Sequence, residues 1–197
     1  MPNRNISVVE PPPTDGDPLL RAAYEVLLDV GPRRTTLTEV ARRADVSRMT
    51  VYRKYADLPT LLSAVLTAEL AELMAQITGN VVGTTDRERI VSMVVAGTKG
   101  IAEHPLMVRL LELDPQYLLP IIVDRRGSTA RGAEDLLAAA LASSEDGSVN
   151  APDPVAVART IVTAASAWIF STLALQTGDP AGTRYDEFAT MIERYLS

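Results

Sequence analysis

Between Ser47 and Lys54 the chain reads SRMTVYRK. Ser47, Thr50 and Tyr52 carry hydroxyls, and Arg48, Arg53 and Lys54 carry positive charge, all within eight residues. Such a set donates hydrogen bonds and ion pairs to phosphate oxygens, and the guanidinium of Arg48 also matches the edge of a guanine. The chemistry is recognition, with no bond made or broken. From Arg33 to Lys54 there are seven basic residues against two acidic ones, a net +5. The whole chain is −6, so the remainder carries −11. That overall balance argues against nonspecific coating of nucleic acid, while a local basic face is what counterion release requires.

Other chemistries find little support. The 197 residues include no cysteine, which rules out a disulfide framework and a thiolate metal site. The one histidine, His104, cannot build a His-based metal cluster, and Glu103, Glu112 and Asp114 do not stand at a recognisable ligand spacing from it. No nucleophile elbow, Gly-rich phosphate loop or zinc motif occurs. The expectation is a protein that is not an enzyme and holds no cofactor or metal. The first residues, MPNRNISVVEPPPTDGD, lack the apolar core and cleavage pattern of a signal peptide. No uninterrupted apolar run reaches the ~18–20 residues of a spanning helix. A cytoplasmic protein without membrane contact is expected.

The elements that must hold these residues are helical. Ala, Leu and Val dominate, aromatics are 5% of the chain, and Gly and Pro cluster at boundaries. Residues 1–16 are polar and Pro-rich and read as a disordered arm. Asp17-Pro18 begins a helix, Leu20, Ala23, Leu27 and Val30 follow its spacing, and Gly31-Pro32 stops it. Thr36 with Glu39 reads as a capping box for a short second helix, along which Leu37, Val40, Ala41 and Ala44 share one face. The tetrapeptide ADVS turns the chain, and Ser47 caps a third helix with Val51 and Tyr55 inward. Arg48, Met49, Tyr52 and Arg53 are left outside. This is a helix-turn-helix unit.

Further helices are expected from Asp57 to TGNVVGTT, from Asp86 to Glu103, and through LMVRLLELDP. A stretch towards SSEDG follows, with a bend near Pro120 or Gly127, and then 154–176 and 184–196. The second of these has apolar positions nearly all round and should be buried. Nothing reads as a strand. The fold class is all-α: an N-terminal three-helix helix-turn-helix domain over 17–56, then a larger helical domain over 57–197.

The stretch TTLTEVARRADVSRMTVYRKYADLPTLLSAVL resembles the N-terminal region of the tetracycline-repressor (TetR) family of bacterial transcription regulators. The shared pattern is a capped helix, a Val-Ala pair, A-x-V-S, then T-V-Y, then a capped helix with a Leu pair. It covers Asp17 to about Leu66. The resemblance implies that Thr36 touches a phosphate, that Ser47, Thr50, Tyr52 and Lys54 contact backbone or flanking bases, and that Arg48 and Met49 face base edges. Arg53 joins them on the same helix face. Arg42 and Arg43, on the second helix, are weaker candidates for a phosphate. The chain departs from the family pattern at Met49, where Gly or a polar residue is usual, at Tyr55, which replaces Phe, and at Leu58-Pro59, which replaces Lys-Glu.

The larger domain is expected to bind a small apolar or aromatic effector, because its helices carry no charged cluster. Met74, Met93, His104, Met107, Tyr117 and Trp168 are the candidate pocket residues, each also readable as structural or packing. A helix-turn-helix protein reads two half-sites about one helical turn apart, which calls for a two-fold dimer. The resemblance implies that the last two helices pair with their symmetry mates; the small residues Ala164 and Ser171 and the apolar stripe Phe188, Met191, Ile192 and Tyr195 are the candidate interface. The function expected is a ligand-responsive regulator, most simply a repressor released from a palindromic double-stranded operator. A carrier or partner-binding bundle without operator binding, and an activator of the same fold, remain open alternatives.

Overall fold

The computed structural model describes residues 17–113, 128–175 and 181–197. The arm over 1–16, Tyr117 and the bend expected near Pro120 or Gly127 lie outside them. Among the described residues there are nine helices and no strand: α1 (Pro18–Val30), α2 (Leu37–Arg43), α3 (Arg48–Lys54), α4 (Leu58–Gly79), α5 (Asp86–Glu103), α6 (Pro105–Leu113), α7 (Ser128–Ala142), α8 (Pro154–Leu175) and α9 (Ala181–Tyr195). Their ends follow local signals. Asp17 accepts the Leu19 N–H at 3.0 Å and Pro18 opens α1, where a missing N–H costs nothing. Gly31 closes it at φ +76°. The Thr35 hydroxyl donates to the Gly31 carbonyl at 2.8 Å, which satisfies the buried polar group of that turn.

The chain divides into two compact units, Met1–Glu72 and Leu73–Ser197. The first part of α4, with Leu61, Leu62, Val65 and Leu66 buried, belongs to the first of these units. In that unit α1 packs on α2 and α2 on α3. The buried face of α1 is Leu19, Ala22, Ala23, Tyr24, Val26 and Leu27; Leu20 is only half-buried and Val30 is exposed, a one-residue rotation from the expected stripe. Burial and the charge of buried Glu69 push the Tyr24 phenol up to about 12.

The second unit is built around α5, which packs against α6, α7, α8 and α9. Its main cluster joins Ile90, Leu137, Leu141, Val157, Ala158, Ile161, Phe188, Ile192 and Leu196. Thr85 and Glu88 form a reciprocal capping box at the start of α5, a T-x-x-E signal that the sequence reading passed over. By length and composition alone, α4 and Pro154–Thr172 of α8 are long and apolar enough to cross a membrane, whereas unbroken apolar runs suggested none. Average composition tolerates interruptions such as Glu69 and Glu72.

Two aspartates tie the start of α5 to the loop after α7. Asp86 accepts the N–H groups of Glu145 and Asp146 at 3.0 and 3.2 Å, while Asp146 accepts the Asp86 N–H at 2.7 Å. Hydrogen bonds from the Ser148 hydroxyl first, and then from the backbone, hold the Asp146 carboxyl at about 2. A depressed carboxyl stabilises the fold fully above its unfolded value of 3.8, and that contribution disappears as pH falls towards about 2. Thermal melts between pH 5 and pH 2.5 should show a steeper acid loss for the wild type than for Asp146→Asn; equal slopes would mean that the exchange contributes nothing.

Candidate nucleic-acid interface

Thr36 caps α2 by accepting the Glu39 N–H at 3.1 Å. The capping box is only half made. The Glu39 carboxylate turns to Arg42 instead and accepts two hydrogen bonds, at 2.9 and 2.6 Å, because the guanidinium fork one turn on matches both oxygens. The helix closes with the Val46 N–H on the Ala41 carbonyl (3.0 Å) and the Asp45 N–H on the Arg42 carbonyl (3.4 Å), around Asp45 at φ +53°. This paired closure usually places Gly at the left-handed residue, and Asp is among the few side chains that tolerate it. Asp45→Val should destabilise the first unit by about 1–2 kcal/mol, because a β-branched residue resists positive φ. A lowered urea midpoint checks this; Asp45→Gly should show no such loss.

Ser47 caps α3, accepting the Thr50 N–H at 3.1 Å, and the two hydroxyls lie 2.8 Å apart. Val51 and Tyr55 are buried, as their spacing predicted. With that side inward, Arg48, Met49, Tyr52 and Arg53 stand outside, Met49 75% and Tyr52 52% exposed. Thr36, Ser47 and Lys54 are exposed and Thr50 is half-buried. Seven of the eight expected contact residues thus lie on α3 and its cap, with Thr36 at the head of the helix that packs against it. Leu58 opens α4, and Asp57 caps it through the Thr60 N–H at 2.8 Å.

The cations are divided. Arg42 binds Glu39. Arg43 reaches Asp29 at 2.6 Å and Glu25 at 3.9 Å, tying α2 to α1. Lys54 pairs with Asp17 and lies 5.6 Å from the centroid of the Tyr55 ring. Arg48 and Arg53 form no ion pair among the described residues. Burial raises the Asp17 carboxyl, but the hydrogen bonds from Lys54 and the Leu19 backbone outweigh it and hold the group below its usual value.

The other expected site residues fall in the second unit. Met93 and Trp168 pack on its main cluster, with the Trp168 ring 4.8 Å from that of Phe188. Met93 also lines a cleft of about 240 Å³ with Leu73, Ile77 and Ala96, bordered by Gln76, Asn80 and Ser92. The Met74 methyl lies 3.5 Å from where a Cβ on Gly97 would stand. Met107 is buried, and His104 caps α6 by accepting the Leu106 N–H on Nδ1 at 3.3 Å. Among the residues expected at a dimer face, Phe188 and Ile192 are 0% and 1% exposed within the chain's own core. They are corrected to core residues, since side chains already covered cannot meet a second subunit. Ala164 is half-buried against the same cluster. Ser171, Met191 and Tyr195 remain on the surface, joined by Phe170 and Val155, which the sequence reading passed over.

Comparison with known proteins agrees with this arrangement. The family of bacterial regulatory proteins named tetR matches residues 19–65. An uncharacterised HTH-type transcriptional regulator of Mycobacterium tuberculosis is 32% identical over 159 residues, which cover 79% of this chain and 80% of that protein. The repressor QsdR of R. erythropolis superposes with a TM-score of 0.67 at 18% identity, over 91% of this chain and 96% of its own. AlkX from a Dietzia strain, a repressor implicated in biodegradation of n-alkanes, gives 0.66 at 19% identity, over 91% and 93%. A capped helix-turn-helix with an exposed basic third helix, an all-α second unit and a relative this similar along most of both chains have one reading: the chain belongs to the TetR family of DNA-binding transcriptional regulators.

Proposed function

We propose that the protein is a homodimeric repressor that lays α3 of each subunit in the major groove of a palindromic operator and is released by a small apolar effector. The exposed face of α3 carries this reading: Arg48, Met49, Tyr52 and Arg53 stand outside a buried Val51 in a chain that is otherwise strongly acidic. Arg48 reads a guanine, Met49 lies near a thymine methyl, and Thr36, Ser47, Thr50, Tyr52, Arg53 and Lys54 hold the backbone. Two heads spaced one helical turn apart need a dimer, for which Ser171, Met191 and Tyr195 of α8 and α9, with Phe170, offer surface. An apolar effector suits an interior of Met93, Met107 and Trp168 side chains, and AlkX, of similar fold, is implicated in n-alkane degradation. Release follows if the effector binds more tightly to a state whose heads no longer match the half-sites. Such a protein acts in the cytoplasm and catalyses nothing.

Selection of fragments from a random duplex pool by the purified full chain tests this. A palindromic motif supports a dimeric reader and supplies the probe for an effector screen. A folded protein that enriches no motif would shift the reading to a carrier or partner-binding bundle.

A further inference from the structure

Among the basic residues from Arg33 to Lys54, Arg42, Arg43 and Lys54 are held by carboxylates of the same unit. The pairs differ in what they hold. Arg42 and Glu39 lie one turn apart on one helix. Arg43 joins α2 to α1, is only 28% exposed, and serves as packing. Lys54 sits in the last turn of α3, the helix that carries Arg48 and Tyr52, and its side chain is half exposed. Its partner Asp17 stands 37 residues earlier in the chain, outside α3 altogether.

Asp17 has two carboxylate oxygens with separate tasks. Oδ1 accepts the Leu19 N–H and caps α1, while Oδ2 accepts from the Lys54 ammonium. The cap needs only an oxygen, and Asn caps about as well as Asp. The capping hydrogen bond therefore does not need the charge, which adds only a modest dipole interaction. A carboxylate oxygen on this lysine offers it the same charge-assisted hydrogen bond that a phosphate oxygen would. The lysine can serve one or the other, and its flexible stem lets it change partner.

We propose that Asp17 is a built-in competitor for DNA: by pairing with Lys54 it withholds one cation from the phosphate backbone and so lowers the affinity and salt dependence of the reading helix without touching its sequence preference. The inference rests on the reading that Lys54 contacts a phosphate. Exposed ion pairs are weak, which suits a contact that must be exchanged readily. A weaker grip also makes release by an effector easier, because a smaller differential affinity then empties the operator.

The test is a double-mutant cycle on the full chain, with the selected operator and a random-sequence duplex of the same length as probes. Asp17→Asn should tighten binding to both by roughly two- to five-fold at low salt and steepen the log–log salt slope by up to about 0.9. Lys54→Met should weaken both equally. In the Lys54→Met background, Asp17→Asn should change nothing. Asp17→Ser, a second uncharged cap, should repeat the gain, and unchanged thermal midpoints would show that α1 is intact. If Asp17→Asn tightens binding equally with and without Lys54, the effect is general repulsion and the proposal falls. If it weakens binding, Asp17 positions Lys54 and the competitor role is overturned. If Lys54→Met has no effect while Arg48→Ala does, the Lys54 contact and this inference fall together, and the operator-binding reading stands.

Discussion

Phe188→Ala should lower the unfolding free energy of the second unit by about 3–5 kcal/mol. The side chain is wholly buried, lies against Trp168, and shares its cluster with Ile161, Ile192 and Leu196. Truncation removes the transfer energy of the ring and leaves a cavity that α5 and α8 cannot close without giving up their own packing. A chemical melt should show the loss at low and high protein concentration alike, because the contacts lie within one chain. The same helix carries a contrasting pair. Met191 and Tyr195 are 42% and 46% exposed, so Glu at both positions should leave the single-chain melt nearly unchanged and yield monomers by light scattering. A dimer that survives this double substitution would place the interface elsewhere. A Phe188→Ala protein that melts like the wild type would mean that α9 does not seal the core.

Arg48→Ala should weaken operator binding by about 1–3 kcal/mol and flatten the preference at one base position. Arg48 is exposed one residue past the cap of α3 and has no carboxylate partner among the described residues, so its guanidinium is available to a base edge. The comparison that isolates base reading is Tyr52→Phe. Loss of one hydroxyl from a half-exposed phenol should weaken every duplex alike, as a phosphate contact does. Selection profiles of the two variants separate the roles: a shifted motif for Arg48→Ala, and an unchanged motif with lower yield for Tyr52→Phe. An unchanged motif for Arg48→Ala would remove it as the base reader.

Much of this molecule is decided by interactions that span two to four residues, and those are legible without a structure. Asp17-Pro18 starting α1, Gly31 ending it, Thr36 and Ser47 capping the next two helices, and 86–103 as a helix are all written locally, because a cap is a hydrogen bond to a neighbour in sequence. The outward set on α3 follows from 3.6-residue periodicity once Val51 and Tyr55 are taken as inward. Tertiary structure alone decided the rest. Phe188, Met191, Ile192 and Tyr195 form one apolar arc, and periodicity groups them without saying what covers each; the chain's own core took the first and third and left the others outside. The partners of Arg43 and Lys54 lie 14 and 37 residues away, and the exchange between Asp86 and Asp146 spans 60. Each depends on where a remote backbone passes, which no local spacing encodes. The sequence by itself determined that a basic helix would face outward; only the packed chain decided that Lys54 pairs with a remote carboxylate while Arg48 and Arg53 form no ion pair among the described residues.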